Sequence, residues 1–312
     1  MKPVREPAVA GQFYPSDPEA LSSMVRGALA EGAREPSIGP GRVIALVAPH
    51  AGYVYSGRVA ASAYGLLEPG SFRRVIVIAP SHRVPMPGSS IYDRGAYRTP
   101  LGLVPVDEDL AERLLRRGGG EIVVEPELHR REHSLEVQLP FLQVALGDFV
   151  LTPIVMGSQR ELHIDRLASA IVAAMGELPR GERVLLVAST DLSHYYDDAR
   201  ARDLDGVLLE DVERFDDAAL AGHLASGACE ACGGGPLVAT MRAARELGGT
   251  RATIRAYGTS ADANGDRSEV VGYAAAVITA SGESAQEGGG SRSAQADRAA
   301  RDGAQRLGGG PA

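Results

Sequence analysis

The chain has 312 residues, 44% of them hydrophobic and 23% charged, with a formal net charge of -8 and a pI near 5.5. That is the profile of a globular protein, and the acidic balance argues against a nucleic-acid binder. No apolar run approaches the ~18 residues of a membrane helix and no basic-then-apolar leader opens the chain, so no membrane partner and a cytoplasmic location are expected. A single lysine, Lys2, excludes a P-loop or a kinase strand lysine, and two cysteines, Cys229 and Cys232, exclude a disulfide scaffold or a four-cysteine zinc site.

Read in chain order, the pattern predicts a helix from Asp17 to Ala30, capped by Ser16 or Asp17 with Pro18 in its first turn. A Val/Ile-rich strand, Val43–Val47, follows, then a second, Val75–Ile78. A helix from Asp107 to Arg116 precedes a short strand, Ile122–Val124. The segment His133 to Leu146 is expected to be helical, because Leu135, Leu139 and Leu142 fall on one face. Then come a strand at Val150–Val155, a helix from Leu162 to Met175, and a strand at Val184–Val187. Helices over Ala199 to Arg214 and Pro236 to Leu247 precede the strands Thr253–Tyr257 and Val271–Ile278. The strands lack strict alternation, which suits burial on both faces. Strands alternating with helices indicate an α/β fold, a single domain over 1–280 with a largely parallel or mixed central sheet flanked by helices. The last segment, 281–312, has Leu307 as its one large aliphatic residue and no aromatic, and is expected to be a disordered tail.

The polar residues at the strand ends carry the chemistry. Val43–Val47 runs into Pro49-His50, Val75–Ile78 into Pro80-Ser81-His82, and Val184–Val187 into Ser189-Thr190-Asp191-Leu192-Ser193-His194. In open α/β sheets ligands bind beyond the carboxyl ends of the strands. If these strands are parallel neighbours, His50, His82 and His194 converge on one site. Neutral imidazole is a common transition-metal ligand, and a third protein ligand is usual with a position left open. Asp191, Glu132, Glu136, Cys229 and Cys232 are the candidates for that third place. Cys229-Glu230-Ala231-Cys232 also permits a redox dithiol, although Gly233-Gly234-Gly235-Pro236 after it reads as a loop rather than a helix start. The triglycine lets backbone approach something closely. His129, His163 and His223 lie in polar contexts and are expected at the surface.

The motifs also carry a resemblance. Ala10-Gly11-Gln12-Phe13-Tyr14-Pro15, Pro49-His50-Ala51-Gly52-Tyr53 with Tyr55-Ser56-Gly57, and Pro80-Ser81-His82 stand in one order. Glu132-His133-Ser134-Leu135-Glu136, Ser189-Thr190-Asp191-Leu192-Ser193-His194-Tyr195, and Cys232-Gly233 continue it. Over about 5–280 this ordered set resembles the Memo family, often called AmmeMemoRadiSam system protein B in bacteria and archaea. The resemblance implies a fold similar to class III extradiol non-haem iron dioxygenases. It implies a mononuclear metal site of His50, His82 and Cys232, with Asp191 and His194 lining the pocket and His133 matching the Glu-His-Ser histidine. Arg83 stands where many members have a second histidine. Iron (Fe2+) or copper is the implied cofactor, with zinc possible, since two imidazoles and a thiolate suit all three.

Catalytic roles are expected for His194, as general base or oxygen-orienting acid, and for Asp191 and His133 beside it. Tyr53 and Tyr55 are expected either as pocket walls or as core tyrosines. The leading expectation is a metal-dependent oxidoreductase of dioxygenase-like architecture and unknown substrate. Two alternatives follow from the resemblance: a non-enzymatic pocket or adaptor protein binding peptide segments, or a metal carrier in a modification system. The ligand is then a small molecule or a peptide, and AMMECR1-like and radical SAM proteins are the implied partners.

Overall fold

The computed structural model describes residues 2–34 and 41–281. The expected tail lies outside the described residues, apart from Ser281. A nine-stranded mixed sheet forms the centre. Four parallel strands lie at its heart, in the order Arg42–Ala48, Val184–Ser189, Arg74–Pro80, Val150–Met156. Antiparallel partners extend it on both sides: Val270–Ala280 beside Arg42–Ala48, and Ser89–Ile91 beside Val150–Met156. Arg251–Thr259 and His194–Tyr196 pair with Val270–Ala280.

The sequence of the central strands explains their position. Ile76 and Ile78 join one hydrophobic cluster, while Val75, Val77 and Ala79 join another on the opposite face. Both faces are thus covered, which is why the strands read as continuous apolar runs. Each buried Val or Ile contributes ~1.5–3 kcal/mol. On the first face Leu167 and Ile171 of the helix Glu161–Gly176 pack with Leu237 and Met241 of the helix Gly234–Glu246. On the second, Leu21 and Val25 of the helix Pro18–Gly32 pack with Leu139 and Leu142 of the helix Leu139–Leu146. The α/β class and the mixed sheet flanked by helices are therefore as the pattern indicated.

Several elements depart from the expected ones. Half of the helix Tyr53–Tyr64 is Ala, Gly or Ser, and it has no Leu or Ile, so it shows no aliphatic periodicity. Those small residues serve close packing: a Cβ on Gly32 would stand 2.2 Å from the Ala61 carbonyl oxygen. A three-stranded sheet of Val4–Arg5, Ala96–Thr99 and Gly102–Pro105 is also additional. The expected helix from His133 to Leu146 begins only at Leu139, after a 3-10 turn at Glu136–Gln138. Its first part is irregular because Glu132 takes the amides of His133 and Ser134 with its own carboxylate. Helical spacing would send those amides elsewhere. The glycines after Cys232 do start a helix, contrary to the loop expected there, because Gly234 and Gly235 lie buried against Leu224, Gln159 and Met156, where a Cβ would clash.

A buried ion pair fastens the irregular segment. Arg5 and Glu136 pair with side chains 2% and 0% exposed. Glu136 also accepts from the amides of Ala8 (2.7 Å) and Val9 (3.1 Å) and from the Tyr14 hydroxyl. Arg5 donates to the carbonyls of His129 (2.9 Å) and Glu132 (2.5 Å). Removing one member leaves a buried charge unpaired, which costs ~3–5 kcal/mol. We therefore expect Arg5→Met to lower stability by about that amount in urea unfolding. A shift below ~1 kcal/mol, the range of an exposed ion pair, would show that the pair is incidental.

Candidate metal centre

The parallel register decides which residues meet. Ala48 lies opposite Ser189, and Ile78 opposite Ala188. The chain beyond each strand therefore emerges at the same edge, and His50, His82 and Asp191 follow within a few residues. The His50 and His82 rings stand 5.1 Å apart, centroid to centroid. The His133 ring lies 5.6 Å from His50 and 4.8 Å from His82. Cys232 comes from the turn before the helix Gly234–Glu246. That turn reaches the sheet because Gly233 has no Cβ, which would lie 2.3 Å from the Ser189 carbonyl oxygen. The close approach read from the triglycine is thus to the end of the Val184–Ser189 strand.

The His50 Nε2 and the Cys232 Sγ are 3.1 Å apart. One ligand atom from each of His50, His82 and Cys232 lies within 4.8 Å of the others. Three donors around one ion, with metal–nitrogen bonds of ~2.0–2.1 Å and a metal–sulfur bond of ~2.3 Å, need such spacings. A second group, His82, Glu132 and His133, meets the same distance condition and shares His82.

The hydrogen bonds behind the imidazoles set their tautomers. Ser189 Oγ donates to the Ser134 carbonyl (2.6 Å) and accepts from Gln138 Nε2 (2.8 Å). Its hydrogen is thereby used, so His50 Nδ1, 2.9 Å away, is the donor. His82 Nδ1 donates to Glu132 Oε1 at 3.0 Å. Both Nε2 lone pairs are left for a ligand, the arrangement that bound metals require of histidine. The donor set therefore fits a metal ion.

The electrostatics agree with these assignments. Burial, then His82 and His133, push the His50 imidazole well below its usual range, so it is neutral at pH 7. Burial opposes ionisation of Glu132, but the His82 ring and the amides of His82 and Ser134 outweigh it and bring the carboxyl down to about 2. Burial, then the nearby Asp191 carboxylate, raise the Cys232 thiol. A coordinated metal reverses this, because a bound thiol is deprotonated. Asp191 is raised to about 7 by burial, against the amides of His50 and Ala51 that it accepts from. Its Oδ2 is 3.9 Å from His50 Nε2. Asp191 thus ties down the chain after the strand Arg42–Ala48.

His194 Nδ1 donates to the Leu192 carbonyl at 2.7 Å, and burial lowers its pKa. Its Nε2 is therefore the basic atom. His133 is lowered to about 4, chiefly by burial, and its ring meets Phe13 edge-on at 4.9 Å. Its Nδ1 is buried without a hydrogen bond, although Glu132 Oε1 is 3.2 Å away. A cleft of about 810 Å³ borders Cys232 and His194 and extends past Cys229, Leu192 and Leu224.

Other expected residues fall elsewhere. Glu136 stands apart from the metal group, holding Arg5 and Tyr14. Cys229 is buried, and its thiol is pushed up to about 12, first by burial and then by Asp211. Tyr53 is a core residue donating to the Val137 carbonyl at 2.6 Å, whereas Tyr55 is exposed. His129, expected at the surface, is fully buried between Tyr97 Oη (2.7 Å) and Ser90 Oγ (3.0 Å). His163 is half-buried against Glu121, and His223 pairs with Asp211. Ser189 and Gln138 orient the His50 ring without standing out in the sequence. Their signal was slight: a serine closing an apolar strand and a glutamine in a leucine-rich turn.

Comparison with known proteins bears on the family. The family model described as Memo-like protein matches residues 5–277. A MEMO1 family protein of Methanopyrus kandleri is 39% identical over 283 residues, covering 88% of this chain and 98% of the relative. Those of Methanobrevibacter smithii and Thermotoga neapolitana are 38% and 37% identical, each over 88% of this chain and 99% and 100% of the relative. The chain belongs to the Memo-like protein family.

Proposed function

We propose that His50, His82 and Cys232 hold one iron or copper ion, and that the protein is a metal-dependent oxidoreductase. The observation that carries this reading is the convergence of two Nε2 lone pairs and one sulfur, with both Nδ1 atoms already tied to fixed acceptors. Three protein ligands leave a coordination position for water or substrate, as catalytic sites do. When bound, iron or copper would supply Lewis acidity and one-electron redox chemistry; zinc would supply only the first.

The chain's own residues then divide the remaining work. Ser189 and Glu132 fix the two rings. His194, neutral at pH 7, accepts a proton from substrate at Nε2 and returns it later. Asp191 holds the backbone of His50 and Ala51, so the first ligand cannot swing away. His133 and Phe13 wall one side.

A second reading is favoured by the 30% exposure of the His82 side chain. A ligand open to solvent lets an ion exchange, which suits a metal carrier for AMMECR1-like or radical SAM partner proteins. Retention of the ion during repeated oxidation of a substrate, catechols being the first to screen, supports the enzyme. Transfer of the ion to a competing chelator on mixing supports the carrier.

Anaerobically purified protein is expected to contain about one metal ion per chain. Elemental analysis of His50→Ala, His82→Ala and Cys232→Ala should find it lost from each. Metal retained by all three variants, or none in the parent, would remove the triad. The orienting residues give a graded effect: Ser189→Ala or Glu132→Gln should weaken metal affinity by ~10–100-fold. Competition against a chromophoric chelator measures this, and an unchanged constant would show that the rings need no support.

A further inference from the structure

One helix is apolar beyond what the core takes up. Six of the ten residues of the helix Asp217–Ser226 are Ala or Leu, yet Leu220 is its one buried residue. Ala221, Leu224 and Ala225 stand at i, i+3 and i+4, on one face of it. Ala221 and Leu224 are half-buried and Ala225 is exposed. All three line the cleft of about 810 Å³ that borders Cys232 and His194. Ile164 of the helix Glu161–Gly176, Val238 of the helix Gly234–Glu246 and Leu192 line it as well. Part of the apolar face of the helix therefore looks onto the cleft rather than onto the core.

The polar side chains of the cleft are mostly engaged already. Gln159 Oε1 accepts from the Gly235 amide (2.6 Å), and its Nε2 donates to the Cys232 carbonyl (2.7 Å). Glu161 accepts from Arg242 at 2.8 Å, and Glu230 accepts from the Tyr196 hydroxyl at 2.6 Å. A ligand in the body of the cleft therefore meets aliphatic surface and few free polar partners. At about 810 Å³ the cleft has the volume of a small-molecule site. Cys232 joins it to the metal group: its Sγ is 3.1 Å from His50 Nε2, and the same residue lines the cleft.

We propose that this cleft takes an aliphatic arm of a small-molecule substrate whose polar head lies at the metal, with Ala221 and Leu224 as the specificity-determining wall. This rests on the metal-centre reading above. A small molecule suits the cleft better than a peptide, because a peptide would bring backbone donors and acceptors for which the lining has few free partners. The arm displaces water from apolar surface, so affinity rises with each methylene that enters.

The test uses two probes with the same metal-binding head, acetohydroxamic acid and hexanohydroxamic acid, on the full metal-loaded chain by calorimetry. A fully buried methylene is worth about fourfold in affinity and a half-buried one about twofold, so the longer chain should give a roughly 15–250-fold advantage. Leu224→Gln sets an amide among aliphatic groups, and Ala221→Leu fills the space. Each should cut that advantage by about fivefold or more, with metal content unchanged. Equal affinity of the two probes in the parent, or an advantage unchanged in both variants, would overturn the proposal. Failure of the metal reading shows separately, as parent protein without metal by elemental analysis. Methyl NMR of the metal-free chain titrated with 1-hexanol supplies an arm independent of metal. The Ile164 and Leu224 methyl signals should shift together, and no shift at either would overturn the proposal. A parent dimer that Leu224→Gln breaks, read by sedimentation, would assign the cleft to a second copy of the chain and overturn it as well.

Discussion

The parallel register of the strands 42–48, 184–189 and 74–80 is the constraint on which the site depends. Ala48 opposite Ser189 and Ile78 opposite Ala188 fix where each strand stops relative to the next. Both faces of these strands are covered by apolar side chains, so a polar group within them would be buried without a partner. Polar chemistry is thereby confined to the strand ends, and the shared direction brings those ends to one edge. A slip by one residue would turn every strand side chain to the opposite face.

Register brings the residues together but does not orient them. Orientation comes from a buried polar network centred on Glu132, Ser189 and Gln138. Glu132 accepts from the His82 ring and from the amides of His82, His133 and Ser134. Gln138 Nε2 donates to the Pro49 carbonyl and to Ser189, while its Oε1 accepts from the Tyr64 hydroxyl. The Arg5–Glu136 pair then anchors the same segment to the start of the chain. Such networks are valuable only when nearly every member is satisfied. Here the exception is His133 Nδ1, and it lies beside the metal group. The arrangement links folding to function: the irregular stretch before the helix Leu139–Leu146 gives up regular backbone bonds and in return presents Glu132 and His133 to the site.

Much of the fold was legible in the residues. The central strands announced themselves as Val/Ile runs because they are buried on both faces. The histidines announced the site because three of them followed such runs. The helix Tyr53–Tyr64 did not, because close helix contact selects Ala, Gly and Ser, which carry no periodic signal. Glu132 and Glu136 stood as equals in sequence, four residues apart. Only the fold sends one to His82 and the other to Arg5. His129 looked exposed because Arg130 and Arg131 follow it, yet Tyr97 and Ser90 enclose it. The helix expected from Pro236 begins two residues earlier, its start masked by the glycines after Cys232, which are needed for contact with the sheet and with Gln159 rather than for a loop.

The central claim is that two imidazoles and one thiolate share a single ion. X-ray absorption of the iron- or copper-loaded protein tests it most directly. The account predicts one sulfur scatterer at roughly 2.3 Å with imidazole nitrogens at roughly 2.0–2.1 Å, and loss of the sulfur shell in Cys232→Ser. A shell of nitrogen and oxygen alone, unchanged in Cys232→Ser, would contradict it and would move the ion to His82, Glu132 and His133.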